Sequence, residues 1–264
     1  MNLVPIMFSR LLKLPRQVRH RYDLSSLRYA GHAAAPCPPE VKRAMIDWWG
    51  PVIGEYYGAT ETGNVTRCTS QEWLDHPGTV GRVMRGAEVK VLDEHGKELP
   101  AGQIGEIAAR FHGLADFAYH NDPEKTRSVE RNGLMAPGDI GYFDQDGFLY
   151  LRDRKIDMII SGGVNIYPAE IEAALHGMPA VADCAVFGIP DEEYGEAVYA
   201  VVQPREGGEN ITAEDVQALL RDRIAGYLVP RRVEFAAELP REDSGKIFKR
   251  KLREPFWAAA GRAI

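Results

Sequence analysis

Tyr57-Gly58-Ala59-Thr60-Glu61 places an aromatic face, a hydroxyl and a carboxylate within one turn. A purine ring, a phosphate oxygen and Mg²⁺ would each need one of these groups. By spacing alone the segment reads more readily as a polar strand end, because turns are usually polar. Further on, Gly138-Asp139 presents a carboxylate able to accept from a pair of hydroxyls. Ser161-Gly162-Gly163 is a turn whose backbone a ligand can approach closely. Arg241-Glu242-Asp243-Ser244-Gly245-Lys246 is a polar turn that presents Lys246. Taken singly, Lys246 and Arg154 read as exposed, solvated charges, the usual state of such residues.

The elements that must position these groups follow from pattern. Ile140–Phe143 and Phe148–Leu151 are apolar-aromatic runs joined by Asp144-Gln145-Asp146-Gly147, a hairpin signal. The charged patch Arg152-Asp153-Arg154-Lys155 then breaks the apolar pattern. Met158-Ile159-Ile160 is a short strand, and Pro168 suits the first position of a helix that carries Glu170 in its first turn. Upstream, Leu3–Leu14 has helical spacing, Leu27–Tyr29 is a strand running into a small-residue turn, and Val41–Trp49 is a helix. Pro51–Tyr57 is a strand with Gly58–Glu61 as its turn. Val80–Arg110 is β-rich, with a hairpin-like pattern over Val89–Leu92 and Ile104–Ala109. Asp122–Thr126 starts a short helix. Beyond the charged patch, Ala180–Ile189, Glu196–Gln203 and Arg232–Ala237 are strands, Ala213–Arg223 is a helix capped by Thr212, and Lys249-Arg250-Lys251-Leu252 starts a basic helix.

The order hairpin, charged hinge, strand, glycine turn, helix, with Tyr57–Glu61 upstream and Ser244-Gly245-Lys246 downstream, resembles the AMP-forming acyl-CoA synthetases of the adenylate-forming superfamily. The resemblance runs from about Pro5 to Trp257. It implies an α/β and α+β multidomain fold: 1–152 as the C-terminal part of a large AMP-binding domain with a small β-barrel, 153–157 as hinge, and 158–264 as a compact α+β domain. It implies ATP, Mg²⁺ and coenzyme A as reactants. Tyr57, Gly58, Asp139, Arg154, Asn165 and Lys246 would meet the nucleotide, with Thr60, Glu61 and Lys246 catalytic and Glu61 on the metal. Ser161, Gly162 and Gly163 would border coenzyme A, with Lys155 and Ile156 at the hinge.

The chain departs from the family pattern in places. Ala33 stands where a glycine is usual, and is strained if that site needs φ > 0. His32 reads equally as an acyl-pocket wall or a packed histidine. Pro137 replaces a hydroxyl residue, and Ile156 replaces a polar hinge residue. No phosphate loop occurs in residues 1–55, so the expectation is the C-terminal half of a synthetase, inactive alone. A carrier-protein thiol as acceptor and a non-catalytic remnant are the alternatives. Ala33-Ala34-Ala35 leaves room for a medium, long or bulky acid.

At 264 residues the chain is long enough for one large or two ordinary domains. A net charge of −6 argues against nucleic acid or anionic membrane as main partner. Cys37, Cys68 and Cys184 are widely spaced with no Cys-x-x-Cys, which suits reduced cytoplasmic thiols better than disulfides or zinc. No apolar run reaches membrane-span length, and the N-terminus lacks a signal-peptide pattern. The resemblance allows a homodimer.

Overall fold

A computed structural model describes residues 1–208, 210–242 and 245–261. The chain divides into two compact units, Met1–Arg152 and Asp153–Ile264.

The first unit is built on two sheets. In one, Asn2–Leu3, Ala30–His32, Ile53–Ala59, Gly63–Cys68 and Arg82–Val83 lie in that order. The first three run parallel and the rest antiparallel. The crossover between Ala30–His32 and Ile53–Ala59 is the helix Pro39–Trp49. It starts with proline at its first position and Glu40 in its first turn, and stops at Gly50, whose φ of +83° no other residue adopts cheaply. Its buried face packs Met45 and Ile46 on Phe8, Ala30, Ile53, Cys68 and Trp73. Phe8 comes from the helix Pro5–Leu12.

The strand Ile53–Ala59 is longer than the sequence pattern indicated. Gly58 and Ala59, expected in the turn, stay in the strand because they pair with Asn64 and Gly63 across a bulge at Tyr57/Gly58. A Cβ on Gly58 would lie 2.0 Å from the Gly63 carbonyl oxygen, so the backbone approach itself requires glycine there. The strand expected at Leu27–Tyr29 forms instead at Ala30–His32. After Cys68, the helix Ser70–Asp75 starts in a capping box between Thr69 and Glu72.

The second sheet holds six strands. Leu149–Arg154, Asp139–Phe143, Gly105–Phe111, Leu134–Met135 and Glu130–Arg131 form its path, with Ala87–Leu92 on Gly105–Phe111. The expected small barrel is therefore an open sheet among the described residues. Gly105–Phe111 gives one edge to Ala87–Leu92 and shares the other between two strands, one of which meets it at a single residue pair. Strands so short cannot carry the sheet round to closure. The sheet meets its neighbour at Gly81↔Leu149, reinforced where Thr79 Oγ1 donates to the Leu149 carbonyl at 2.8 Å.

The second unit wraps helices on both faces of one sheet. Val164–Ile166, Ile159–Ser161, Gly195–Pro204 and Val181–Asp191 are antiparallel neighbours, and Arg232–Phe235 runs parallel to Gly195–Pro204. Alternation sorts the side chains. Val186, Val198, Ala200 and Val202 face the core shared with helices Pro168–His176 and Ala213–Arg221. Phe187, Ala197, Tyr199 and Val201 face Leu252 and Phe256 of the helix Lys249–Ala259. The charged patch does not interrupt the backbone, since the strand Leu149–Arg154 runs through its first three residues.

The strain anticipated at Ala33 sits one residue later. Ala34 has φ +74°, a left-handed conformation that costs a residue with a Cβ about 1–2 kcal/mol. Ala34→Gly relieves this and adds some unfolded-state entropy, so it should stabilise the protein by about 0.5–1 kcal/mol in urea unfolding. Ala33→Gly should not stabilise it. Equal effects at both positions would contradict the assignment.

Candidate functional site

In the first unit the strand Ile53–Ala59 is paired on one side over Ile53–Glu55 and on the other from Glu55 to Ala59, so its last residues are held by Gly63–Cys68. Tyr57 Oη donates to Asp139 Oδ2 at 2.7 Å and joins positions 82 residues apart. Asp139 opens its own strand directly after Gly138, whose φ is +94°. The turn past Ala59 is closed by Thr62: the Ala59 N–H donates to Thr62 Oγ1 at 2.9 Å, and that hydroxyl donates to the Gly63 carbonyl at 2.9 Å. Thr60 is left exposed and Glu61 half-buried at the crest. Tyr119 Oη donates to Glu61 Oε1 at 2.6 Å. Tyr119 is in turn covered by Phe117, edge-on at 5.0 Å, and by Lys125, 4.2 Å from its ring centroid. The sequence carries no signal for Tyr119, because only the fold brings it to Glu61.

Below this surface lies a buried ionic group. Lys42 is fully buried on the inner face of its helix, where it pairs with Glu55 and sits 4.9 Å from the Trp73 ring centroid. His32, also fully buried, places Nε2 3.6 Å from Glu55 Oε2, and among the described residues neither ring nitrogen has a hydrogen-bond partner. Burial, aided by the Lys42 charge, pushes its pKa down to about 3, so it is neutral. Phe8 meets its ring edge-on at 5.4 Å. Burial also raises the Glu55 carboxyl against the pull of Lys42. Cys37 and Cys68 are pushed up to about 12, chiefly by burial, which keeps both thiols protonated and unreactive. The sequence does hold a signal for this group, since Lys42 shares one helical face with Met45 and Ile46.

The second unit carries the remaining predicted residues. Gly162 and Gly163, at φ +58° and +81°, turn Ile159–Ser161 into Val164–Ile166. Two consecutive positive φ values are what a two-residue hairpin of this twist needs. Both glycines and Asn165 are exposed, and Ser161 is half-buried. Arg154, Lys155 and Ile156 are also exposed. Lys246 is exposed in a turn where the Glu242 N–H donates to its carbonyl and Gly245 has φ +85°. Ser244 and Asp243 of that turn lie outside the described residues. Arg241 holds the turn in place: its Nη1 donates to the Gly245 carbonyl at 3.0 Å and its Nη2 contacts Asp183. Arg241 was not expected as a site residue.

Residues 1–116 match the AMP-binding enzyme family and residues 170–246 the AMP-binding enzyme C-terminal domain. The chain is 38% identical over 271 residues to the medium/long-chain-fatty-acid–CoA ligase FadD8 of Mycobacterium tuberculosis, covering 99% of this chain and 47% of that protein. It is 35% identical over 250 residues to the fatty acid–[acyl-carrier-protein] ligase ScoC of Streptomyces coeruleorubidus, covering 92% and 47%. Among solved structures, the amide bond synthetase McbA of Marinactinospora thermotolerans superposes with a TM-score of 0.89 at 36% identity, covering 97% of this chain and 52% of that one. The chain spans about half the length of the curated relatives it matches.

Removing one partner of a buried ion pair strands the other charge. Lys42→Met should therefore destabilise the first unit by about 3–5 kcal/mol in denaturant unfolding. Lys42→Met with Glu55→Gln should recover most of that loss. A double variant as unstable as the single one would show that packing, not charge, sets the cost.

Proposed function

The chain belongs to the AMP-binding enzymes, and from that premise we propose that the protein activates a carboxylic acid as its acyl-adenylate, using ATP, and passes the acyl group to the thiol of coenzyme A. The observation that carries this reading is the Tyr57–Asp139 hydrogen bond. It makes one rigid surface of an aromatic ring and a carboxylate from two separate motifs, suited to an adenine face and a ribose.

In the first half-reaction a substrate carboxylate oxygen attacks the α-phosphorus of ATP. A P–O bond forms, the α–β bridge breaks and pyrophosphate leaves. Two anions meet in this step, so positive charge must lie where negative charge develops. We assign that role to Lys246, with Thr60 on a phosphate oxygen. Glu61 fits Mg²⁺: Tyr119 orients one carboxylate oxygen, and the other has no protein partner among the described residues. A single carboxylate suits an ion that takes most of its ligands from water and substrate phosphates. When bound, Mg²⁺ would neutralise phosphate charge there. Arg154 and Asn165 are the further nucleotide contacts in this reading.

In the second half-reaction the thiol attacks the acyl carbonyl, a C–S bond forms and AMP leaves. The Ser161-Gly162-Gly163 turn, bare of side chains at two positions, borders the incoming thiol. The linker 153–157, with Lys155 and Ile156, is where the chain changes conformation between the two steps. Ala33-Ala34-Ala35 suits a medium, long or bulky acid. Three unpaired cysteines suit a reducing cytoplasm. The similarity to ScoC supports a second reading, in which a carrier-protein thiol replaces coenzyme A. Offering both thiols in competition separates the two readings.

In a protein completed to the length of its relatives, Lys246→Ala should slow acyl-adenylate formation by about 10²–10³-fold, as for loss of an electrostatic stabiliser. Thioester formation from supplied acyl-adenylate should fall far less. Equal loss in both half-reactions would refute the role given to Lys246.

A further inference from the structure

The hairpin between Asp139–Phe143 and Leu149–Arg154 carries side chains that the acyl-transfer reading leaves without a part. Its turn, Asp144-Gln145-Asp146-Gly147, brings two carboxylates to His76, the residue that closes the helix Ser70–Asp75 much earlier in the chain. His76 Nδ1 lies 3.3 Å from Asp144 Oδ2. One ligand atom from each of His76, Asp144 and Asp146 lies within 4.8 Å of the other two. Among the described residues this is the one set of three histidine, cysteine or carboxylate side chains gathered so closely.

Two of the three groups are held in place by contacts outside the set. The His76 ring stacks on Phe148, 3.9 Å between centroids and 26° from parallel, and the Arg82 guanidinium lies 4.2 Å from the same Phe148 centroid. Asp144 Oδ1 accepts from the Asp146 N–H at 3.0 Å and the Phe148 N–H at 2.8 Å, which leaves Oδ2 to face His76. The Tyr150 hydroxyl is hydrogen-bonded to Asp144 as well. Asp146 is exposed and free to adjust. With the imidazole neutral, the group carries two negative charges, and among the described residues no lysine or arginine pairs with either acid. Two like charges held together in this way are relieved by a cation between them.

We propose that His76, Asp144 and Asp146 bind one divalent transition-metal ion, zinc above all, which pins the hairpin turn to the end of the helix Ser70–Asp75. The donor set chooses the ion. An imidazole nitrogen suits zinc, whereas magnesium and calcium prefer oxygen throughout. Zinc bonds of about 2.0–2.2 Å in a tetrahedral site put ligand atoms about 3.4 Å apart, so a small closing movement of Asp146 completes the set. Water takes the fourth position. The backbone N–H groups and Tyr150 on Asp144 are the outer contacts that orient a ligating carboxylate. The site adjoins the junction of the two sheets of the first unit. The His76 carbonyl accepts from the Thr79 N–H at 3.2 Å, and Thr79 and Gly81 are the residues that join Leu149. An ion there fastens the strand Asp139–Phe143 at the end opposite Asp139. The proposal does not rest on the acyl-transfer reading, and its test needs no nucleotide.

Calorimetric titration of zinc into the 264-residue chain, with excess magnesium present to occupy Glu61, tests the proposal. One zinc ion per chain should bind saturably. His76→Phe keeps a ring to stack on Phe148 but removes the nitrogen ligand, and Asp146→Asn removes a charge from an exposed side chain. Each should weaken zinc binding roughly tenfold or more, since even the outer contacts of metal sites act on that scale. Zinc should also raise the urea midpoint of the unaltered chain and leave that of His76→Phe in place, because an ion that binds the folded state alone stabilises it by mass action. Absence of saturable zinc binding would overturn the proposal, as would zinc binding equally tight in either folded variant. If His76→Phe does not fold, undiminished zinc binding by Asp146→Asn overturns it.

Discussion

The hydrogen bond from Tyr57 to Asp139 is the constraint on which the first unit depends. Its two partners come from different sheets, and its length leaves little room for either to shift. Holding Tyr57 requires a strand anchored by Ala30–His32 at its start and by Gly63–Cys68 along its end, which in turn requires the crossover helix Pro39–Trp49 and the bulge that only a glycine at position 58 permits. Holding Asp139 requires the second sheet to sit against the first, which the Gly81↔Leu149 bridge and Thr79 secure.

The buried Lys42–Glu55 pair acts on the same strand from below. A desolvated charge is tolerated only when paired, so the helix and the strand must stay in register for either residue to remain inside. Glu55 and Tyr57 are two positions apart, and the alternation of a strand puts both on one face. Helix position, strand register and Tyr57 placement are therefore parts of one electrostatic condition. His32, neutral beside the pair, adds no third charge.

Much of this was legible in the residues. The paired glycines at 162 and 163 marked a turn, and two positive φ values bear that out, but the strand Val164–Ile166 that the turn leads into was not read. Thr212 was read as a helix cap, and it forms a capping box with Asp215. What could not be read depends on pairing at a distance. The end of the strand at Ala59 is decided by Gly63–Cys68, a partner with no pattern of its own strong enough to announce it. Tyr119 reaches Glu61 across 58 positions, and Arg253 reaches Ile156 across 97. Neither spacing follows a local period. The strained position moved from Ala33 to Ala34 because three consecutive alanines give no local means of choosing between them.

The central claim is that Tyr57 and Asp139 form a nucleotide surface. Calorimetric titration of AMP into the chain and into Asp139→Ala tests it most directly. The account predicts binding by the unaltered chain and a loss of about 1–3 kcal/mol in the variant, from the charge-assisted hydrogen bonds to ribose hydroxyls. Equal affinity in the two proteins, with both folded, would contradict it.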